Sequence, residues 1–323
     1  MADFEVLMPG QGMPMISEQI GARTTLHRMW LAPDAEAFVS KIAPNVRGIA
    51  AAGAHAPIDA AFIDRFPKLE IISGFGVGYD HIDARHADKR GIVVTHTRGV
   101  LDDEVADLAM GLTLATVRRL PQSERYLRAG QWRAKGNYPL TTSLRGRKMG
   151  IFGLGRIGKA IAQRAEAFGV EVVYCGRSAQ PGVPYLYYPS LRGMAAACDI
   201  LLLIAPGGAA TRKIVDAEVL EALGPDGFLI NVARGTLVDD DALIAALEAG
   251  KIAGAGLDVF TDEPNVPAAL MERDDVVLLP HLGSATHKTR SDMAQLVVDN
   301  ILHWIDGKGP LTPVPETPWP KPA

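Results

Sequence analysis

Three short segments carry side chains whose types suit one reaction. Ala233-Arg234-Gly235 follows the apolar run Phe228 to Val232; Asp258 and, five residues on, Glu263 follow Ala253 to Leu257; His281 follows Val276 to Pro280. Each run reads as a buried strand of a parallel sheet. In a doubly wound sheet the residues beyond the carboxyl ends of the strands share one crevice. There a guanidinium holds a carboxylate and polarises the adjacent carbonyl. An imidazole gives a proton to the carbonyl oxygen as hydride reaches carbon, and a carboxylate keeps that imidazole protonated and oriented. Together the three match what reduction of a 2-oxo acid requires. Singly, each has a plainer role: Arg234 as an ion-pair residue, Glu263 in Thr261-Asp262-Glu263-Pro264 as a turn acid, His281 as a satisfied polar core residue. Their convergence on three strand ends is what points to chemistry.

A hydride needs a carrier, and the stretch from Lys148 to Ser178 supplies a place for one. Met149 to Phe152 reads as a buried strand, Gly153-Leu154-Gly155-Arg156-Ile157-Gly158 as a turn, Ala160, Ile161, Ala165 and Phe168 recur at helical spacing, and Val172 to Tyr174 begin a second strand. That context gives a G-x-G-x-x-G its meaning as a dinucleotide-binding turn. Gly153 allows the tight turn, Gly155 lets the backbone approach a pyrophosphate, and Gly158 lets helix and strand pack closely. The helix N-terminus offers N–H groups and a positive dipole end to the phosphates.

The end of the second strand chooses between dinucleotides. NAD sites place an Asp or Glu about 20 residues after the glycines to bind the ribose hydroxyls. Here that place reads Tyr174-Cys175-Gly176-Arg177-Ser178, without a carboxylate. A guanidinium can hold a 2′-phosphate and a hydroxyl can donate to it. NADP(H) is therefore expected in preference to NAD(H), with Gly176, Arg177 and Ser178 as the selecting residues.

Length and alternation define the framework for these groups. At 323 residues the chain suits two domains. The first ~98 residues alternate strands (Phe4 to Met8, Thr24 to Met29, Gly48 to Ala51, Leu69 to Ile72, Ile92 to Thr95) with helical stretches (Ala35 to Ile42, Ile58 to Phe66, His81 to Lys89). Beyond the glycine turn, strands at Asp199 to Ile204, Phe228 to Val232, Ala253 to Leu257 and Val276 to Leu279 alternate with helices near Leu191 to Ala197, Ala217 to Leu223 and Asp240 to Glu248. The fold class is thus α/β, two doubly wound parallel-sheet domains. Asp102-Asp103-Glu104 starts a helix, better explained as helix-start charge than as metal ligand. The polar stretch Pro121 to Arg147 reads as a surface loop or an arm that packs on a second subunit. The amphipathic pattern Thr286 to Ile305 is expected to return to the first domain. The domains are then 1–98 with 287–323, for substrate, and 99–286, for the nucleotide, with two crossings forming a hinge. The proline-rich LTPVPETPWPKPA is expected to be extended.

Composition excludes other classes. A net charge of −4 gives no reason to expect nucleic acid or an anionic membrane as partner. Two cysteines, Cys175 and Cys198, make no disulfide framework, so a reducing compartment, the cytoplasm, is expected. The opening MADFEVLMPGQG lacks a secretory pattern, and no apolar run is long enough to span a membrane. No Cys/His spacing suggests zinc and no metal is expected. The remaining histidines, His27, His55, His81, His86, His96, His287 and His303, are expected at the surface.

With these segments in view, the chain resembles the D-isomer-specific 2-hydroxyacid dehydrogenase family over essentially its whole length. The matching stretches are GFGVGYDHID at 74–83, EVADLAMGLTLA at 104–115, GLGRIGKAIAQRAEAFG at 153–169, NVARGTLVDDDAL at 231–243, AGAGLDVFTDEP at 253–264 and LLPHLGSAT at 278–286. The resemblance implies a Rossmann nucleotide-binding domain and a flavodoxin-like substrate domain completed by the C-terminal helix. It assigns catalysis to Arg234, Glu263 and His281, and substrate-carboxylate binding to backbone N–H groups at Val77 and Gly78 together with Arg234. It places Asp258 and Val232 by the nicotinamide amide and Pro206 by the adenine, with Thr211, Ala233 and Gly283 also lining the cofactor. Tyr-Cys-Gly-Arg-Ser is similar to the NADPH-preferring glyoxylate, hydroxypyruvate and hydroxyphenylpyruvate reductases, whereas NAD-dependent members carry Asp where Gly176 stands. Relatives dimerise through an arm that contains Trp132 here, so a homodimer is expected. Met13, Phe75 and Trp132 would border the side-chain pocket. Two other readings use the same residues: an NAD-linked D-2-hydroxyacid dehydrogenase of another substrate branch, and a dinucleotide-sensing corepressor or scaffold. Turnover of 2-oxo acids and cofactor preference discriminate them.

Overall fold

The computed structural model describes residues 4–53 and 57–320. The chain separates into two compact units, Met1–Leu101 with Thr286–Ala323, and Asp102–Ala285.

The first unit is a five-stranded sheet of β1 (Glu5–Met8), β2 (Thr25–Arg28), β3 (Val46–Ala51), β4 (Ile71–Gly74) and β5 (Val93–Thr95). All pairings are parallel and the order is β2-β1-β3-β4-β5, the flavodoxin-like winding. Alternation along each strand feeds two cores. Leu7, Ile49 and Ile72 join Val39, Ile63 and Phe66 on one face. Val6, Met8, Ala50 and Ile71 join Ile16 and Ile20 on the other, together with Ala294, Val297, Val298 and Ile301. Those last four lie on one stripe of the helix His287–Ile305, capped by Thr286, whose side chain accepts from the Thr289 N–H. The long C-terminal helix therefore completes the first sheet. Val297, Val298 and Ile301 each contribute roughly 1.5–3 kcal/mol to holding it there.

The chain beyond this helix docks on β5. Thr95 bridges Pro313 in antiparallel fashion, the Val314 N–H donates to Val94 O at 2.9 Å, and Thr317 Oγ1 accepts from the Val94 N–H at 2.9 Å. Fully buried Asn300 fastens the connection. Its Oδ1 accepts from the N–H groups of Leu311 and Thr312 at 2.9 and 3.1 Å, and its Nδ2 donates to Leu296 O at 2.7 Å.

The second unit is a seven-stranded parallel sheet of β6 (Lys148–Phe152), β7 (Glu171–Cys175), β8 (Leu186–Tyr188), β9 (Ile200–Leu203), β10 (Phe228–Asn231), β11 (Gly254–Leu257) and β12 (Val276–Leu278). Its order is β12-β11-β10-β9-β6-β7-β8, a Rossmann winding whose direction reverses between β6 and β9. The strands bury both faces, as parallel strands do. Leu201, Leu203 and Leu229 enter one core, and Ile200, Leu202 and Ile230 enter the other.

Several expectations change. Pro121 to Arg147 is not simply a loop: Leu120–Arg128 and Gln131–Lys135 are helical, separated by Ala129 and by Gly130 at φ 69°. Their polar composition hides the periodicity. The helix Pro14–Gly21 leaves little trace in the sequence because only Ile16 and Ile20 are buried in it. The three-residue edge strand β8 and the one-turn helix Ala268–Met271 are too short to leave a periodic signal. His96 is not at the surface but 8% exposed. His27 and His86 are partly covered and paired with Glu5 and Asp64 at 2.7 and 2.8 Å. His55 lies outside the described residues. Asp102 and Asp103 do open the helix Asp102–Val117, and they also pair with Arg156 and Arg164 of the helix Arg156–Ala167, at 2.7 and 3.1 Å.

Candidate active site

Because the strands of the second unit run parallel, every candidate residue there falls on the same edge of the sheet. The glycine turn follows β6, Gly176 to Ser178 follow β7, Pro206 and Thr211 follow β9, Val232 to Arg234 follow β10, Asp258 and Glu263 follow β11, and His281 to Gly283 follow β12.

The glycine turn separates into two structural positions and one that the chain itself does not require. Gly153 has φ 103°, and a Cβ there would lie 2.7 Å from Ala205 N. A Cβ on Gly158 would lie 2.3 Å from Gly153 O. A Cβ on Gly155 would meet nothing within 4 Å, although Gly155 caps the helix Arg156–Ala167 without any side-chain hydrogen bond. The glycine at 155 therefore leaves room at an uncapped helix N-terminus, which fits the phosphates of a dinucleotide. The Arg156 side chain is engaged by Asp102.

After β7, the Gly153 N–H donates to Cys175 O at 2.9 Å. Gln180 ties the next loop to the turn, donating to Leu154 O at 2.8 Å, while its backbone N–H donates to Tyr174 OH at 2.7 Å. Arg177 and Ser178 are exposed. The Arg177 guanidinium has no ion pair or hydrogen bond among the described residues. After β9, Thr211 Oγ1 closes the loop by donating to Pro206 O at 2.8 Å.

The catalytic candidates are held by backbone. Buried Asn231 shapes the turn that carries Arg234: its Nδ2 donates to Arg234 O at 2.9 Å and its Oδ1 accepts from the Ala233 N–H at 3.0 Å. Val232 and Ala233 are buried, and the half-exposed Arg234 donates from Nη1 to Ala233 O at 2.6 Å. Gly235 lies so close to the β11 loop that a Cβ would fall 1.9 Å from Phe260 C. The Arg234 turn and the Glu263 loop are thus in direct contact. Glu263 Oε1 accepts from the Phe260 N–H at 3.0 Å, and Oε2 lies 2.7 Å from His281 Nδ1.

His281 adopts φ 53°, unusual for a residue with a Cβ. Asp258 holds it there from both sides. The Asp258 carbonyl accepts from the His281 N–H at 2.9 Å, and its carboxylate accepts from the N–H groups of Leu282 and Gly283 at 2.6 and 2.9 Å. Burial raises the Asp258 pKa, while the two N–H donors oppose that rise. Sequence reasoning gives Asp258 a cofactor role only and misses this bracket, for which 25 residues of separation leave no local signal.

In the first unit, Val77 and Gly78 lie in the loop after β4. Their N–H groups donate to no described residue, whereas Gly76 and the Val77 carbonyl are both hydrogen bonded. Among the described residues no group of three His, Cys, Asp or Glu could hold a metal, and no helix is long and apolar enough to cross a membrane.

A Rossmann-wound unit with an Arg, a Glu–His pair and a glycine turn on one sheet edge defines a nucleotide-dependent oxidoreductase. Residues 110–283 match the family described as D-isomer specific 2-hydroxyacid dehydrogenase, NAD binding domain. The chain belongs to the D-isomer specific 2-hydroxyacid dehydrogenase family. It is 44% identical to hydroxyphenylpyruvate reductase of Plectranthus scutellarioides, over 96% of this chain and 98% of that protein. It is 45% identical to glyoxylate/hydroxypyruvate reductase A of Arabidopsis thaliana, over 97% of this chain and 100% of that protein. The NADPH-dependent glyoxylate/hydroxypyruvate reductase of Sinorhizobium meliloti, solved with NADP and malonate, superposes with a TM-score of 0.91 at 47% identity, covering 100% of both chains.

Proposed function

We propose that this protein reduces a small 2-oxo acid of the glyoxylate or hydroxypyruvate type to its D-2-hydroxy acid, with NADPH preferred over NADH. The observation that carries the reading is the Glu263–His281 pair, 2.7 Å apart, on the sheet edge that also bears Arg234 and the glycine turn. Likeness over full length to two glyoxylate/hydroxypyruvate reductases and to a hydroxyphenylpyruvate reductase supports it.

In this reading Asp102–Ala285 is the cofactor unit, and the first unit, completed by the C-terminal helix, binds substrate. Gly153 to Gly158 hold the pyrophosphate. Arg177 and Ser178, with no acid at Gly176 to repel it, take the 2′-phosphate. Pro206 and Thr211 border the adenine side, and Val232, Ala233, Asp258 and Gly283 the nicotinamide side. Bound there, NADPH supplies the hydride that reaches C2. Arg234 holds the substrate carboxylate and polarises the carbonyl, and the N–H groups of Val77 and Gly78 also receive that carboxylate. His281, its Nδ1 fixed on Glu263, gives a proton from the remaining ring nitrogen, Nε2, to the carbonyl oxygen. Glu263 stabilises the charged ring before transfer and keeps it in register.

Exposed Leu127, Trp132 and Leu140 lie on and just beyond the two helices after residue 119, and support a homodimer formed through this arm. Two unpaired, buried cysteines suit a cytoplasmic setting. Initial rates with NADPH and NADH against glyoxylate, hydroxypyruvate, phenylpyruvate and pyruvate test the reading. Clear NADPH-linked turnover of one of them supports it. A preference for NADH turns it toward the NAD-linked branch, and tight dinucleotide binding without turnover favours the corepressor alternative.

A further inference from the structure

The loop after β4 is held from behind by groups to which the reaction gives no role. The Gly76 carbonyl accepts from the Thr97 N–H at 2.9 Å, and the Gly76 N–H donates to Thr97 Oγ1 at 3.0 Å. The Val77 carbonyl lies 2.9 Å from His96 Nδ1. Tyr79 OH donates to Glu316 Oε2 at 2.7 Å, and its ring meets the His96 ring edge-on at 5.5 Å. His96 is itself anchored, donating its N–H to Thr312 O and accepting from Thr312 Oγ1 at 2.6 Å.

A trans peptide is planar, with its C=O and N–H pointing in opposite directions. Fixing the Gly76 carbonyl therefore aims the Val77 N–H, and fixing the Val77 carbonyl aims the Gly78 N–H. The first is fixed by backbone, the second by one side chain. A carbonyl can only accept, so His96 Nδ1 carries the proton in this contact. The opposite nitrogen, Nε2, is buried without a partner among the described residues. Burial lowers the His96 pKa, opposed by the bond to Val77, and the neutral ring keeps its single proton where the loop needs it.

We propose that His96 is a positioning residue for substrate: through the Val77 carbonyl it orients the Gly78 N–H, and with it the donor pair that receives the carboxylate of the 2-oxo acid. This rests on the reading of Val77 and Gly78 as that carboxylate's donors. The geometry also gives the docked C-terminal segment a part in the site, since Thr312 and Glu316 hold His96 and Tyr79 in place.

The test uses the full chain with His96→Phe, which keeps a planar ring but no donor, and His96→Asn, whose amide nitrogen stands at the position of Nδ1. Steady-state rates with NADPH and glyoxylate are paired with inhibition by oxamate. In His96→Phe the KM for glyoxylate and the Ki for oxamate are expected to rise about tenfold, the loss of one well-placed hydrogen bond to a charge. The KM for NADPH stays within about twofold, and His96→Asn restores both constants to within about threefold. Wild-type constants in His96→Phe, or a loss carried by kcat and NADPH instead, overturn the inference. Should His96→Phe not fold, the isosteric pair His96→Asn and His96→Asp replaces it: Asp, with no donor, must raise the KM over Asn, and equal values overturn the inference. A wild-type chain that reduces no 2-oxo acid overturns the functional reading itself, and this inference with it.

Discussion

Glu263 Oε2 lies 2.7 Å from His281 Nδ1, and Oε1 of the same carboxylate accepts the Phe260 N–H at 3.0 Å. Both oxygens are thus committed, one to the backbone of its own loop and one to the imidazole. The carboxylate works as a strut that sets the ring. Replacing Glu263 by Gln keeps the shape and removes the charge. In Glu263→Gln, kcat for glyoxylate reduction should fall by about 10- to 100-fold, as expected for weakened general acid catalysis. The NADPH dissociation constant should stay within about threefold in the same variant, read by nucleotide fluorescence.

The glycines of the turn should respond differently to the same change. Gly155→Ala adds a Cβ where the chain has nothing within 4 Å. Its melting temperature should match that of the parent, while NADPH binding weakens by about tenfold or more. Gly158→Ala drives a Cβ to 2.3 Å from Gly153 O and should lower the melting temperature instead. Thermal melts with and without NADPH distinguish the two.

Arg177 is exposed and makes no ion pair or hydrogen bond among the described residues. In Arg177→Ala the KM for NADPH should rise about 10- to 100-fold, and that for NADH should stay nearly constant, because only the former carries a 2′-phosphate. Equal losses for both cofactors would remove Arg177 from the phosphate site.

Asn300, fully buried, fastens the C-terminal segment through three hydrogen bonds, to Leu311 and Thr312, and makes a fourth within its own helix to Leu296 O. Asn300→Ala should cost roughly 2–4 kcal/mol, since it removes a fully buried amide together with its hydrogen bonds. Urea denaturation measures this directly.

The two thiols should be silent. Burial pushes the Cys198 thiol up to about 12 and also raises that of Cys175. The thiolate is the reactive form, so at about pH 8 both stay protonated. A thiol-specific reagent should find neither in the native chain and both after unfolding, and N-ethylmaleimide should leave activity intact.

Much of this molecule is legible in its sequence because parallel strands are continuous apolar runs, and the loops at their carboxyl ends fall on one edge of the sheet. Arg234, Glu263 and His281 stand out for that reason, as does the return of the helix ending at Ile305 to the first sheet. Contacts across loops do not. The close approach of Gly235 to Phe260 and the bracket that Asp258 places on His281 depend on the register of separate strands. His96 reads as a surface residue when taken alone, although it directly follows the buried run Ile92 to Thr95; that neighbourhood is the available signal. Proline in the last segment announces extended chain but not the strand it docks on, because one antiparallel bridge and a few side-chain bonds have no period.

His281, set by Glu263, is the proposed proton donor in NADPH-linked reduction of a 2-oxo acid. The most direct test is kcat of His281→Gln with glyoxylate or hydroxypyruvate, measured beside its NADPH dissociation constant. A fall in kcat of about 10²- to 10⁴-fold is expected, with cofactor affinity within about threefold of the parent. Turnover within a few-fold of the parent, with NADPH bound normally, would contradict it.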